Sequence, residues 1–333
     1  MKNFSGPLGT TASLFLVVAL SACGGGDGAP PTVTPVAKNP TVFGQNDAKA
    51  IARLGLATSQ LMLIQTLLEQ EYIGGLFQSL TTASANGSLS PTSSSCASAT
   101  GGSGSFTLSQ VKAGTYVGYK INDSIEITYN ACKFATSSIV INGKFSLVSL
   151  GNYANLSAIS VVDYRLSTTN FEINSSALRF RSSGIQAARY DTTTSGAGAA
   201  DVTVSVQSGR SVELFSSATA TTPVVTWTIS PSAAVKAKLT SANFTFSMNG
   251  DISTATASGG GPLSFTTITP LTGPYSTSAL YPTSGIMRVK EPAVNLLTET
   301  TYQGSTATVK ADTNRDGVLD LTFITTAQEL GTP

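Results

Sequence analysis

From about residue 103 onward the chain alternates apolar and polar side chains with a period of two. Ile125, Ile127 and Tyr129 alternate with Glu126 and Thr128, and Leu178 and Phe180 with Arg179 and Arg181. Val202, Val204 and Val206 repeat the pattern, as do Phe244, Phe246 and Met248. Successive side chains on an extended backbone face opposite ways, so this period predicts strands with one buried and one solvated face. Asn142-Gly143 and Asn249-Gly250 stand among these runs and predict two-residue type I′ hairpins, whose central residues need positive φ.

Residues 45–80 follow another period. Ile51, Leu54, Leu61, Ile64, Leu68, Tyr72 and Leu76 recur at spacings near 3.6 and predict one long helix. Asn46 is its candidate cap, and Gly74-Gly75 a candidate end or bend. Leu61 to Ile64 and Leu67-Leu68 widen the apolar stripe, so the helix should be buried over much of its circumference. The part between Arg53 and Glu69 is interrupted by Gln60 and Gln65 and falls short of the about 20 apolar residues that cross a bilayer. A core helix on a sheet is the expectation, with an interfacial or partner-binding helix as the other reading. Residues 81–103, rich in Ser, Thr, Ala and Gly, predict a loop.

Many antiparallel strands, one helix and no βαβ rhythm predict a mainly β fold. Its form should be a large curved antiparallel sheet or open barrel packed on the N-terminal helix, with a β-sandwich as the alternative. The β-rich domain is expected over 81–333, with a soft boundary near the Gly-rich stretch 195–199.

Ahead of the helix the pattern changes again. The apolar run Leu14 to Leu20 is too short to span a membrane and reads as the core of an export signal covering residues 1–22. Leu20-Ser21-Ala22-Cys23 matches the lipobox of bacterial lipoproteins, in which the cysteine thiol is acylated before the signal is cut. An ordinary secretory signal cut after Ala22 is the other reading. Position 24 is Gly rather than the Asp that retains such proteins at the inner membrane, which implies sorting to the Gram-negative outer membrane. Residues 23–44, with Pro30-Pro31, Pro35 and Pro40, read as a lipidated cysteine on a flexible tether with a reach of about 25 Å.

Composition then removes whole classes of function. Charged residues make up 11% of the chain and the net charge is +1, without a basic cluster, so nucleic acid is an excluded partner. The chain has no histidine, which removes Ser-His-Asp and Cys-His nucleophiles, His-ligated zinc and His general bases. Ser109-Gln-Val-Lys112 spells S-x-x-K, but in a strand those two side chains face opposite ways. Gly24 to Gly26 and Gly259 to Gly261 lack the strand-to-helix context of a phosphate loop. Asp123 with Glu126, and Asp163 with Glu172, are too ordinary to nominate as a catalytic pair. No catalytic residue is assigned, and a non-enzyme is expected.

With Cys23 carrying lipid, Cys96 and Cys132 remain as an even pair in an oxidising compartment, where a disulfide is expected. One motif with metal chemistry stands out near the C-terminus. Asp312, Asn314, Asp316, Val318 and Asp320 place oxygens at positions 1, 3, 5, 7 and 9 of a calcium-loop pattern with Gly317 at position 6. Phe323 stands where an EF-hand has its bidentate Glu, and both flanks read as strands. The motif is therefore expected at a hairpin tip, either as a weak calcium site or as a set of Asx turns.

The lipobox, Asp123-Ser-Ile-Glu-Ile-Thr-Tyr-Asn-Ala-Cys132, Asn142-Gly143, Tyr281-Pro-Thr-Ser-Gly285 and the terminal Asp-x-Asn-x-Asp-Gly hairpin together resemble a group of uncharacterised β-rich Gram-negative lipoproteins. The resemblance implies class and location and carries no established activity. The expected function is a non-catalytic structural or binding module of the envelope, held to the outer membrane by its lipid and meeting an envelope protein or a hydrophobic ligand. A periplasmic carrier of a lipid or other hydrophobic ligand is the alternative.

Overall fold

The computed structural model describes residues 43–331 except 81–88, 97–101, 115–117, 134–139, 154–160, 175–178, 192–199, 257–258, 275–279 and positions 218, 232 and 241. The signal, Cys23 and the tether up to residue 42 lie outside the described residues. Helix α1 (Gln45–Leu80) leads into β1 (Leu89–Ser95), β2 (Ser103–Val111), β3 (Ser124–Lys133), β4 (Val140–Ser149) and β5 (Val161–Asn174). Then come β6 (Arg179–Asp191), β7 (Ala200–Phe215), β8 (Val225–Ile229), β9 (Ala234–Leu239) and β10 (Asn243–Thr256). The chain closes with β11 (Gly259–Pro274), β12 (Ser284–Glu291), β13 (Leu296–Gln303), β14 (Thr306–Asp312), β15 (Leu321–Thr326) and the short helix α2 (Ala327–Gly331).

All these strands lie in one fifteen-stranded antiparallel sheet that follows chain order from β1 to β15. The protein is thus the large single sheet with an N-terminal helix that the alternation predicts, not a two-sheet sandwich. β8 and β9 are two halves of one line, since each pairs with β7 on one side and β10 on the other. Pro231 falls at the break, where a residue without an N–H cannot continue the ladder. β6 and β7, on either side of 195–199, pair from Arg179↔Phe215 to Asp191↔Asp201.

Curvature follows from where α1 packs. The helix touches β7 and β9 as well as β12, β13 and β14. A flat sheet would set β7 and β13 about 24 Å apart at ordinary strand spacing, and a helix lying across it would touch the intervening β10 and β11 at least as closely as β7, which α1 does not. The apolar face therefore bends around the helix.

The two Asn-Gly pairs correct the expectation of hairpin turns. Asn142-Gly143 sits inside β4 and Asn249-Gly250 inside β10, each at a shift in strand register. Gly143 has φ 86°, and a Cβ there would stand 1.9 Å from the Asn170 carbonyl oxygen. Gly250 has φ 122°, and a Cβ there would stand 2.5 Å from the Ala233 Cα. Each preceding asparagine repairs the interrupted ladder: Asn142 Oδ1 accepts from the Ala131 N–H (2.7 Å) and Asn249 Oδ1 from the Thr267 N–H (3.0 Å). Positive φ suits a bulge as well as a turn, and the local sequence alone does not separate the two.

A second correction concerns residues 81–103, expected as a loop. Leu89 to Ser95 form β1 at the end of the sheet, with a register shift between Leu89 and Thr92 around Pro91. Proline is tolerated there because a terminal strand has one side free of partners.

Helix α1 starts earlier than an Asn46 cap implies. The N–H of Gly44, just ahead of its first residue, donates to Asp47 Oδ2 at 2.9 Å. Ala48, Ile51, Ala52 and Leu56 are buried, and from Thr58 to Leu63 every side chain is. Gly55 lets the helix approach the sheet closely, since a Cβ there would meet Val289 Cγ2 at 2.6 Å. Ser59 donates to the Gly55 carbonyl (2.9 Å), and Gln60 Nε2 donates to the Leu280 carbonyl (3.1 Å).

On the outward face the few charges meet across strands. Asp163 and Arg189, Arg181 and Glu213, and Arg288 and Glu299 are register partners that also form ion pairs. Glu126 and Lys144 make a diagonal pair at 2.7 Å. These charged side chains are exposed or half-buried.

Candidate functional site

The predicted calcium motif forms the turn between β14 and β15. Asp312, at the end of β14, is 2% exposed, and both its oxygens are engaged by backbone. Oδ1 accepts from the N–H groups of Arg315 (2.7 Å) and Asp316 (3.2 Å), and Oδ2 from Gly317 (2.8 Å). Asp316 Oδ1 accepts from the Val318 N–H at 2.8 Å. Asn314 Oδ1 accepts from the Asp316 N–H at 3.0 Å, and its Nδ2 donates to Asp316 Oδ2 at 3.1 Å. Asp320 Oδ1 accepts from both the N–H (2.8 Å) and the hydroxyl (2.9 Å) of Thr313. Arg315 (φ 70°) and Gly317 (φ 88°) supply the left-handed residues that let the chain fold back.

All five predicted positions thus share one loop closed by hydrogen bonds between protein groups. Among the described residues no three His, Cys, Asp or Glu side chains gather closely enough to hold a metal ion. The loop also fixes the start of α1: the Phe43 N–H donates to the Thr313 carbonyl (3.0 Å), and the Arg315 guanidinium lies 5.0 Å from the centre of the Phe43 ring. Phe43, the first described residue, therefore stands beside this turn.

The hydrogen bonds from Thr313 hold the Asp320 carboxyl below its ordinary value of 3.8. A depressed carboxyl contributes its stabilisation above the unfolded value and loses it as pH falls through the folded value. Below pH 3.8 the Thr313 amide should therefore lose protection, while between pH 5 and 8 it should not respond; amide NMR over this range checks the expectation.

Cys96 and Cys132 form a disulfide across a Cα–Cα distance of 5.5 Å. Both are buried. The bond ties the end of β1 to β3 across the intervening β2, beside Ala131 with its positive φ of 47°.

Sequence reasoning weighed Lys112 and Asp123 only as catalytic candidates, and passed over Gln186 and Arg210 on the inward face. Lys112 is 6% exposed and lies 5.1 Å from the centre of the Tyr119 ring; burial lowers its pKa, and Asp123 opposes that shift. Asp123 accepts from the N–H groups of Ala113 (3.2 Å) and Lys120 (2.8 Å). Arg210, 5% exposed, donates to Gln186 and Ser182, and Ser182 shares a hydrogen bond with Thr168. Trp227 and Glu291 also face inward. The signal was register: Gln110 and Lys112 are in phase with Phe106 and Leu108, Arg210 with Val212 and Leu214, and Glu291 with Met287 and Val289. Asp163, Glu172 and Glu126 are instead ion-paired to Arg189, Arg179 and Lys144.

No family model, curated protein or solved structure matches the chain significantly.

Proposed function

We propose that the protein is a lipid-anchored, non-catalytic module of the Gram-negative outer membrane, attached through Cys23. The observation that carries this reading is the lipobox Leu20-Ser21-Ala22-Cys23, set ahead of a tether and a β body. Two features of the body support it. Its outward face carries cross-strand ion pairs instead of an apolar band. Among the described residues no helix is long and apolar enough to cross a membrane. Attachment is then the task of the acyl chains, and Phe43, the first described residue, sits beside the turn at 312–320. Replacing Cys23 by alanine should move the protein from the detergent phase of a Triton X-114 extraction to the aqueous phase, with the body still folded. Retention of the variant in the detergent phase would sink the reading.

Calcium at Asp312, Asn314, Asp316, Val318 and Asp320 is a dependent part of the proposal. Asp316 and Asp320 must exchange their Val318 and Thr313 partners for the ion, which keeps the affinity weak, on the order of 10⁻⁴–10⁻³ M. Calorimetric titration should give saturable heat that Asp316→Ala removes, and absence of heat at millimolar calcium would reject the site.

A further inference from the structure

Three of the seven large apolar side chains exposed among the described residues lie at one corner of the sheet, where β2 leads into β3 and β4 ends. Val111 is 61% exposed, Ile121 51% and Leu150 37%. The backbone gathers them. Val111, between the buried Gln110 and Lys112, points outward and is the register partner of Ser124, which pairs in turn with Val148. Beyond these rungs the pairing runs on into the turns. The Asn122 N–H donates to the Ser149 carbonyl (2.9 Å), and the Ser149 N–H to the Asp123 carbonyl (2.8 Å). Ile121 and Leu150 lie next to that pair in the chain. The Ile121 N–H donates to Asn152 Oδ1 at 3.2 Å, and Tyr119 and Tyr153 exchange backbone hydrogen bonds, so the two turns are fixed against each other. Exposed apolar residues scattered singly are ordinary, but a cluster marks a contact surface.

The charges of the corner and the length of the tether select the partner. Lys120 is exposed, whereas Lys112 and Asp123 are buried. Asn122 and Asn152, the exposed polar neighbours of Ile121 and Leu150, are neutral. Asp163, whose carbonyl accepts from the Leu150 N–H, has its carboxylate paired with Arg189. Aliphatic side chains beside a cation suit the interface of a bilayer that contains anionic lipid. A second copy meeting this corner about a two-fold axis would set Lys120 against its own twin. Phe43 stands at the opposite end of the sheet, beside the turn after β14. Twenty residues lead from Cys23 to Phe43. Fully extended they reach about 66 Å, against about 33 Å for a strand the length of β3. A chain held at Cys23 is therefore long enough to rest this corner on the bilayer.

We propose that Val111, Ile121 and Leu150, with Lys120, form a second membrane contact that seats the anchored body on the bilayer interface. The proposal rests on anchoring through Cys23, which brings the body to a membrane. The aliphatic side chains enter the boundary between head groups and acyl chains, about 5–10 Å deep, and the Lys120 ammonium stays among anionic head groups. A single anchor leaves the body free to turn on its tether, and the second contact fixes its orientation.

Trp227 is the chain's single tryptophan and is buried, so a second tryptophan placed on the surface reports its own surroundings. The full lipidated protein would be reconstituted into vesicles of phosphatidylethanolamine and phosphatidylglycerol, with and without bromine on the acyl chains. Ile121→Trp is compared with Ile268→Trp, an exposed position on β11 outside the corner. The expected result is emission at shorter wavelength and roughly twofold stronger bromolipid quenching at 121 than at 268. Should Ile121→Trp fail to fold, Leu150→Trp carries the same expectation. Equal quenching at the two positions, in protein that floats with the vesicles, overturns the proposal and leaves the anchor standing. A shift at 121 without quenching means that protein covers the corner, and overturns it as well. Protein that does not float with the vesicles contradicts the anchor, and the proposal falls with it.

Discussion

Replacing Gly143 by alanine is expected to cost about 3–5 kcal/mol, among the largest single-residue effects in the molecule. Two causes add. At φ 86° an L side chain is strained, and the new Cβ would sit 1.9 Å from the Asn170 carbonyl oxygen, an atom of the neighbouring backbone. Relieving the overlap means pushing β5 away from β4 at the bulge, which also disturbs the Asn142 bond to the Ala131 N–H. Gly209→Ala is the control, because a Cβ there meets nothing within 4 Å. Urea unfolding should show a large drop in midpoint for the first variant and a change within about 0.5 kcal/mol for the second. Equal midpoints would mean that the close approach of Asn170 to Gly143 does not constrain the strand pair.

The second large effect concerns Cys132. The disulfide closes a sequence separation of 36 residues. Opening a loop of that size gives the unfolded chain entropy worth about 4 kcal/mol in the chain-entropy model. Cys132 is fully buried, so Cys132→Ser adds a hydroxyl where the sulfur packs. The loss should be felt first in β1, which is short, rich in Ser and Thr, and lies at the end of the sheet. Without the staple, the edge of β2 becomes open to pairing with another chain. Denaturation with and without reductant, followed by size-exclusion chromatography, should show a lower midpoint and added oligomer on reduction. An unchanged midpoint would contradict this account.

How much of this was legible in the sequence follows from the kind of signal involved. Ile125, Ile127 and Tyr129 advertise their buried face because burial selects apolar side chains at every second position, and the same holds for Phe244, Phe246 and Met248. The wide apolar surface of α1 likewise anticipated the helix clasped inside the curve. What stayed hidden depends on neighbours distant in sequence. Asn142-Gly143 has the composition of a hairpin turn, and only the close approach of Asn170 makes it a bulge. Leu89 to Ser95 have almost no apolar residues, yet they form a strand because the edge of β2 and the disulfide hold them there. In the terminal loop the motif gave the turn and its five positions, but not that Asp312 would spend both oxygens on backbone N–H groups. Glu291 and Trp227 could have been found by asking which polar residues fall in phase with an inward apolar series.

The central claim is attachment through Cys23, and tandem mass spectrometry of the N-terminal peptide from protein purified out of its own membranes tests it most directly. The account predicts a mature chain whose first residue is Cys23, carrying a thioether-linked lipid. A chain that begins at Cys23 with a free thiol, or one that retains residues 1–22, would contradict it.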